Sequence, residues 1–307
     1  MKKISIALFC LLQIAAFGQI SENRVESLVS FLASDEMKGR DIGTPENDSA
    51  AVYIARQFAA NRLDFCFGES YLIPFEYKGQ ITYNVCGLQK GNSEKTIAFA
   101  GHFDHIGTAK SGTDTIYNGA DDNASGTAAV IALSDYFKEK KPEFTLVYMA
   151  FNGEEKGMKG SKALADLPAL QPLWKNTAAL FNFEMLGTVS AFGANAVYMT
   201  GNNVSNLHEI LTAAAPSGFS IAADPYLKQQ LFYRSDNISF AKKGVVAHSF
   251  STVDMNTARH YHQLNDDMDV IKVPNLTAII NHFGRTVENL SPAAFNPAYN
   301  NQLKLKR

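Results

Sequence analysis

Residues 96–105 have the sequence TIAFAGHFDH, an apolar strand-like run followed directly by two histidines and an aspartate. The arrangement recurs at 144–155, where FTLVYMAF precedes NGEE, and at 178–184, where AALFNF precedes a glutamate. A fourth apolar run, at 244–250, precedes a loop that holds two more histidines. In open α/β sheets, the carboxyl ends of the strands are where sites are built. The pattern therefore predicts one polar site along one edge of a sheet.

Helix-like apolar stripes separate and flank these strands. The helical segments are expected at 22–32, 49–60, 125–138, 159–166, 204–215 and 275–289. Strands that alternate with helices predict an α/β fold whose sheet is covered on both faces. No break is strong enough for a second domain, so we expect one domain at 19–291 and a surface tail at 292–307.

The composition is that of an ordinary globular protein, with 307 residues, 46% hydrophobic and 19% charged, and a formal net charge of −2. This charge gives no reason to expect nucleic acid or an anionic membrane as a partner. The composition does not fix the oligomeric state.

The amino-terminal segment has the features of a signal peptide. Lys2 and Lys3 precede an apolar run at 4–17, and small residues stand at Ala16 and Gly18. We expect removal of residues 1–18 and export to the periplasm or the extracellular medium, with no membrane attachment afterwards. A membrane anchor is disfavoured because the run is too short to span comfortably.

Cys66 and Cys86 remain after the expected cleavage. In an oxidising compartment they could form a disulfide. They could equally be two small buried residues. The sequence leaves both possibilities open.

The motif GADDNASG places Asp121 and Asp122 just before a predicted helix. Two acids there can simply cap the helix and complement its dipole. Beside His102 and the glutamate pair Glu154 and Glu155, a metal role is the better interpretation. Zinc binds imidazole and carboxylate groups, and catalytic zinc sites keep one position open for water.

Two zinc ions that share one carboxylate need five or six protein ligands. Five candidates are His102, Asp121, Glu155, Glu184 and His262. Their three carboxylates and one bridging hydroxide would cancel the four positive charges of two Zn²⁺ ions, which makes the cluster less costly to bury. We therefore predict two zinc ions per chain.

The chain resembles the co-catalytic zinc aminopeptidases, typified by secreted bacterial leucyl aminopeptidase and vacuolar aminopeptidase Y. The matching motifs occur in the family's order and read GHFDHIG, GADDNASG, NGEEKGMKGS, NFEMLG, RSDNISFAKKG and YHQLNDD. The resemblance covers residues 25–289 and is specific only when the motifs are taken together. It implies a single α/β domain with a central mixed β-sheet, and hydrolysis of peptide bonds at a free amino terminus.

The resemblance also implies roles for the metal ligands. Asp121 would bridge both zinc ions, and the peptide bond between Asp121 and Asp122 would be cis. His102 and Glu184 would complete one zinc site. Glu155 and His262 would complete the other.

Further roles concern catalysis and orientation. Glu154 would be the general base that acts on the water between the metals. Asp104 would accept a hydrogen bond from the far nitrogen of His102, and Asp266 could serve His262 in the same way. None of the remaining histidines is a predicted ligand, although His105 and His260 flank proposed ligands.

The chain departs from the family pattern in a few positions. Many members have Asp where this chain has Glu184, which is still an oxygen donor. Some relatives have a tyrosine that stabilises the developing oxyanion, at the position of Phe232. Whether the neighbouring Tyr233 or Arg234 replaces it is left open, as is the preferred side chain of the substrate.

The sequence disfavours three other functions on the same scaffold. A carboxypeptidase or dipeptidase on the same scaffold would usually need an Arg or Lys cluster to bind a substrate carboxylate, and none accompanies the ligand motifs. A single-zinc glutaminyl cyclase is disfavoured by the full set of five ligands. A non-enzymatic zinc-binding module is disfavoured because the ligands and Glu154 are all present.

Overall fold

The computed structural model describes residues 19–305, so the predicted signal peptide lies outside the described residues. The strands are β1 (Asp64–Phe65), β2 (Leu72–Tyr77), β3 (Gln80–Gln89), β4 (Ser93–His102), β5 (Phe144–Phe151), β6 (Thr177–Phe183), β7 (Ala196–Met199), β8 (Ser220–Ala223) and β9 (Val246–Ser251). The α-helices are α1 (Glu22–Leu32), α2 (Pro45–Ala60), α3 (Gly126–Phe137), α4 (Lys159–Asp166), α5 (Gln171–Asn176), α6 (Leu207–Ala214), α7 (Asn237–Ala241) and α8 (Val273–Asn289). Within 19–305, no helix combines the length and apolar character needed to cross a membrane.

All of these strands belong to one sheet with the order β1-β3-β5-β4-β6-β9-β7-β8, and β2 pairs with β3. The central strands β5, β4, β6 and β9 run parallel to one another, whereas β1, β2 and β3 pair antiparallel and β7 runs antiparallel to β9. The predicted mixed sheet is thus confirmed. The carboxyl ends of the parallel strands lie along one edge, as the sequence pattern required.

Helices cover both faces of the sheet, as predicted. In β4, Ile97 and Phe99 pack into one apolar cluster with α1, α2, α3 and α8. The alternating residues Ala98 and Ala100 pack into a second cluster with α4, α5 and α7. This alternation of buried residues on the two faces is typical of a strand in the middle of an α/β sheet.

Two features differ from the expectations. The hairpin of β2 and β3 was not predicted, and its turn places Lys78 and Gly79 at positive φ. The carboxy-terminal segment is not merely a surface tail, because Phe295 is only 1% exposed. In addition, the hydroxyl of Tyr299 accepts a hydrogen bond of 2.9 Å from the backbone N–H of Ala247 in β9.

The structure shows which of the two possibilities for Cys66 and Cys86 applies. Cys66 follows β1, Cys86 lies in β3, and the two form a disulfide with a Cα–Cα distance of 5.7 Å. The bond ties β3 to the loop between β1 and β2.

Candidate metal centre

The side chains of the candidate site lie at the carboxyl ends of the central parallel strands. His102 is the last residue of β4, Glu154 and Glu155 follow β5 by a few residues, and Glu184 directly follows β6. The loop after β9 supplies His262. Parallel strands in adjacent positions therefore explain why residues far apart in the chain meet.

One group of potential ligands surrounds His102. Its Nε2 atom lies 3.1 Å from Oε1 of Glu184 and 3.4 Å from Oδ1 of Asp122. His102 and Asp122 are almost completely buried, and Glu184 is partly exposed to the cavity beside the site. These residues together could hold a metal ion.

A second group lies on the other side of Asp122. The Nε2 atom of His262 is 3.0 Å from Oε2 of Glu155 and 3.3 Å from Oδ2 of Asp122. Nδ1 of the buried His105 lies 3.1 Å from Oε1 of Glu155. From the sequence, His105 was expected only to flank a proposed ligand. In the structure, its ring contacts the same Glu155 carboxylate as the ring of His262.

The structure separates the roles of the two adjacent aspartates. Asp122 lies between both groups, whereas Asp121 is turned away from them. Oδ2 of Asp121 lies 2.8 Å from Nε2 of His260, and Oδ1 accepts a hydrogen bond of 2.7 Å from the backbone N–H of Gly187. The cis peptide bond joins Asp122 to Asn123, so the expectation of a cis bond one residue earlier was wrong. The geometry favours Asp122, and not the predicted Asp121, as the shared carboxylate.

Asp104 lies beside His102, although the contact differs from the predicted one. Nδ1 of His102 is 3.1 Å from the backbone carbonyl oxygen of Asp104 and 3.7 Å from its carboxylate. The carboxylate oxygens instead accept the backbone N–H groups of Glu154 and Glu155, at 3.1 and 3.2 Å. Asp104 thus fixes the backbone of the glutamate pair.

Asp266 was expected to orient His262, and the structure gives it other partners. Its two carboxylate oxygens accept the backbone N–H groups of Asp121 and Asp122, at 2.8 and 3.0 Å. It therefore holds the acidic loop in the way that Asp104 holds the glutamate pair. Burial, followed by the charge of Asp121, raises the pKa of Asp266 to about 7.

Glu154 lines the cavity next to both groups but belongs to neither. Within 19–305, no side chain donates a hydrogen bond to its carboxylate, whose pKa is raised well above the usual range by burial. A carboxylate that lies outside both groups of potential ligands and has a raised pKa has the properties of a general base.

Of the two side chains considered for stabilising the oxyanion, Arg234 lies in the cavity beside the two groups and Tyr233 does not. Arg234 and Tyr261 line this cavity, whereas Tyr233 lines a separate surface cavity. The ring of Tyr261 stacks on that of His262 with centroids 4.0 Å apart. Tyr261 was not among the predicted site residues, although it directly precedes the proposed ligand His262 in the sequence.

The residues present fit zinc. A tetrahedral zinc ion with bonds of about 2.0–2.1 Å separates its ligand atoms by roughly 3.4 Å. The nitrogen–oxygen distances within the two groups are 3.0–3.4 Å. Moreover, Oδ2 of Asp122 is buried and has no hydrogen-bond partner among the described residues. Two imidazole–carboxylate groups that share one carboxylate are the donor set of a co-catalytic site.

Comparisons with known proteins agree with this chemistry. The model of "Peptidase family M28" matches residues 84–287. Aminopeptidase YwaD of Bacillus subtilis (strain 168) is 24% identical over 208 residues, which cover 65% of this chain and 43% of that protein. The chain matches less than half the length of the curated relatives compared, several of which are named probable zinc metalloproteases.

Solved structures share the fold. An aminopeptidase from Aneurinibacillus sp. strain AM-1 has a TM-score of 0.67 at 18% identity, covering 87% of this chain and 93% of that one. A Bacteroides thetaiotaomicron glutaminyl cyclase bound to N-acetylhistamine has a TM-score of 0.71 at 17% identity, covering 89% and 99%. Because both enzymes have the fold, the fold does not distinguish between the two activities.

Proposed function

Because the chain belongs to peptidase family M28, we propose that it is an exported aminopeptidase that uses two zinc ions in one site. The observation that carries the proposal is the position of Asp122. One of its oxygens faces His102 and the other faces His262, at 3.4 and 3.3 Å. A single-zinc cyclase would need only one of the two groups.

In this proposal, His102, Asp122 and Glu184 would hold one zinc ion, and Asp122, Glu155 and His262 would hold the other. Bound zinc would supply Lewis-acid polarisation of the scissile carbonyl and a lowered pKa for water. Glu154 accepts the proton of the attacking water and passes it to the leaving amine. Asp104 keeps Glu154 in place, because it accepts the backbone N–H of that residue.

Recognition of an amino terminus follows from the charge of the cavity. Asp122, Glu154, Glu155 and Glu184 all line it, so a protonated or metal-bound amino group meets carboxylates on several sides. The proposed substrates are therefore peptides with a free amino end.

One observation favours a second candidate, a dipeptidase. Arg234 lines the same cavity and, within residues 19–305, forms no ion pair. Its guanidinium could bind the carboxylate of a short substrate, since Arg matches carboxylate geometry well. A charge-assisted hydrogen bond contributes about 1.5–3 kcal/mol, which corresponds to roughly 10- to 150-fold in kcat/KM.

Blocked peptides separate the two candidates. We would compare an unblocked dipeptide, its amino-acetylated form and its carboxy-amidated form as substrates of the zinc-loaded enzyme. An aminopeptidase loses orders of magnitude in rate on acetylation and little on amidation. A dipeptidase that uses Arg234 loses activity on amidation as well, and Arg234→Met would remove that preference. Rapid cleavage of the acetylated peptide would refute both.

Zinc dependence is tested on the same protein. Metal analysis should give two zinc ions per chain in the active enzyme. Chelation should abolish activity, and added zinc should restore it. One zinc ion or none in fully active protein would refute the two-metal proposal.

Export is supported by the sequence of residues 1–18 and by the disulfide between Cys66 and Cys86, because disulfides persist in oxidising compartments. Amino-terminal sequencing of the protein recovered from the periplasm or medium should begin at Gln19. Recovery of the full-length chain from the cytoplasm alone would contradict this part of the proposal.

A further inference from the structure

Arg40 is a completely buried arginine in the loop before α2, and its exposed fraction is 0%. Its guanidinium donates hydrogen bonds to the backbone carbonyls of Leu32, Phe103, Asn118 and Gly119. The bonds to Phe103, Asn118 and Gly119 measure 2.7, 2.6 and 2.9 Å. These hydrogen bonds use four of the five N–H donors of the planar guanidinium.

Leu32 ends α1, and the other three carbonyl partners belong to the two segments next to proposed metal ligands. Phe103 directly follows His102, and Asn118 and Gly119 precede the acidic pair that contains Asp122. The backbone of Arg40 adds a further link, since its carbonyl accepts the N–H of His105 at 3.3 Å. One residue thus connects the loop after β4 to the loop before α3.

The preceding residue explains how Arg40 comes so close. Gly39 has a φ of +66°, and a Cβ atom there would lie 2.3 Å from the carbonyl oxygen of Gly107 and 2.5 Å from that of Tyr117. Only glycine fits between these backbones. The close backbone packing at Gly39 therefore brings Arg40 within hydrogen-bond distance of Phe103, Asn118 and Gly119.

The positive charge of Arg40 is balanced by carboxylates that lie nearby without contacting its guanidinium. Within residues 19–305 its guanidinium is bonded to carbonyls, and no carboxylate lies within ion-pair distance. Burial lowers its pKa to about 10, and the charges of Asp266, Asp104, Asp122 and Glu155 oppose that shift. A buried cation is costly unless such charges surround it.

We infer that Arg40 is a positioning residue of the metal centre: it sets the distance between the loop of His102 and the loop of Asp122 through its backbone hydrogen bonds. The inference rests on the proposed zinc site. Because His102 and Asp122 depend on these loops, loss of the guanidinium fork should separate the two residues even in a folded protein.

Charge and geometry predict opposite effects on zinc binding, which makes the inference testable. Removal of a buried positive charge near a zinc site would strengthen zinc binding, whereas loosening of the two loops would weaken it. Arg40→Lys keeps the charge but cannot reproduce the planar donor set. Arg40→Met removes both.

The experiment measures zinc dissociation constants of the folded variants at one pH, by competition with a chelator. Partners outside the ligand shell typically contribute 10- to 100-fold in metal affinity, so Arg40→Lys and Arg40→Met should both bind zinc about 10- to 100-fold more weakly than the wild type. The matched control is Arg24→Lys, which alters an arginine bonded to Asp135 and Gln57. It should leave zinc affinity unchanged.

The outcomes are distinct. Wild-type affinity in folded Arg40→Lys, or tighter binding in Arg40→Met, would overturn the inference and leave the zinc site standing. A wild-type protein that binds no zinc would refute the zinc site itself.

A second measurement does not depend on the folding of a variant. In metal-free wild-type protein, the backbone N–H of His105, which is bonded to Arg40, should already be protected from hydrogen exchange. Protection that appears only after zinc is added would mean that the metal orders the loop, and would overturn the inference.

Discussion

The position of Asp122 leads to the prediction that tests the site most directly. Asp122→Asn replaces the carboxylate shared by both groups with an amide that can present only one oxygen. Each proposed metal position would lose part of a three-residue ligand set and one shared negative charge. Partners outside the ligand shell already contribute about 10- to 100-fold in metal affinity. We therefore expect Asp122→Asn to weaken zinc binding by more than about 100-fold at both positions.

The neighbouring substitution Asp121→Asn is the matched control. Its carboxylate contacts His260 and the N–H of Gly187 but neither metal group. The asparagine oxygen can still accept the N–H of Gly187, while its NH₂ group meets His260. One poorly satisfied buried group costs about 1–3 kcal/mol of folding free energy. Zinc affinity should fall by about 100-fold at most, as for an outer-shell change.

The assay compares the two variants side by side. Zinc content is measured after buffer exchange, zinc affinity by competition, and unfolding free energy by urea titration of the metal-free proteins. We expect Asp121→Asn to show the larger loss of stability and Asp122→Asn the larger loss of zinc. If Asp121→Asn lost both ions while Asp122→Asn retained them, the assignment of the shared carboxylate would be refuted.

Three further predictions follow from the same geometry. Glu154→Gln should lower kcat by about 10²- to 10⁴-fold with zinc retained, and near-normal turnover would exclude it as the base. Replacing both Cys66 and Cys86 with serine should lower the unfolding free energy by about 3 kcal/mol, because the disulfide closes a loop of sequence separation 20; an unchanged urea midpoint would contradict this. The neighbouring carboxylates of Asp122 and Glu155 raise the pKa of His262 to about 10. The metal-free site therefore holds a proton below that pH, and zinc must displace it, so zinc affinity should rise by about tenfold per pH unit towards pH 10. Isothermal titration at several pH values would detect this trend, and a flat profile would count against it.

The sequence predicted the sheet and the edge on which the site lies because both depend on regular features. An apolar strand such as 144–151 is recognisable from its residues, and the polar residues at its carboxyl end must lie at the edge of the sheet. The hairpin of β2 and β3 was missed because its strands mix polar and apolar residues and pack partly at the surface. The turn at Lys78 and Gly79 joins the two strands.

The choice between Asp121 and Asp122 could not be made from residue types alone. Both are buried aspartates, and they lie in an irregular turn after Gly119, which has a φ of +60°. No regular periodicity of strand or helix applies there, so the pattern does not say which side chain faces the strand ends. Contacts distant in sequence decide it, namely those of Asp121 with Gly187 and His260.

The same contacts explain why a count of acidic residues is a poor guide to the number of ligands. The charge balance drawn from the sequence included only the ligand carboxylates, but Asp104 and Asp266 are also buried beside them. Both carboxylate oxygens of Asp104 accept backbone N–H groups, from Glu154 and Glu155. Both carboxylate oxygens of Asp266 do the same, with the N–H groups of Asp121 and Asp122. A carboxylate satisfied in this way has little capacity left for a metal, whereas Asp122 has a buried oxygen without a hydrogen bond. Asp104 and Asp266 thus hold the backbone, whereas Asp122 is available to zinc, and Arg40 adds a buried positive charge that the simpler balance left out.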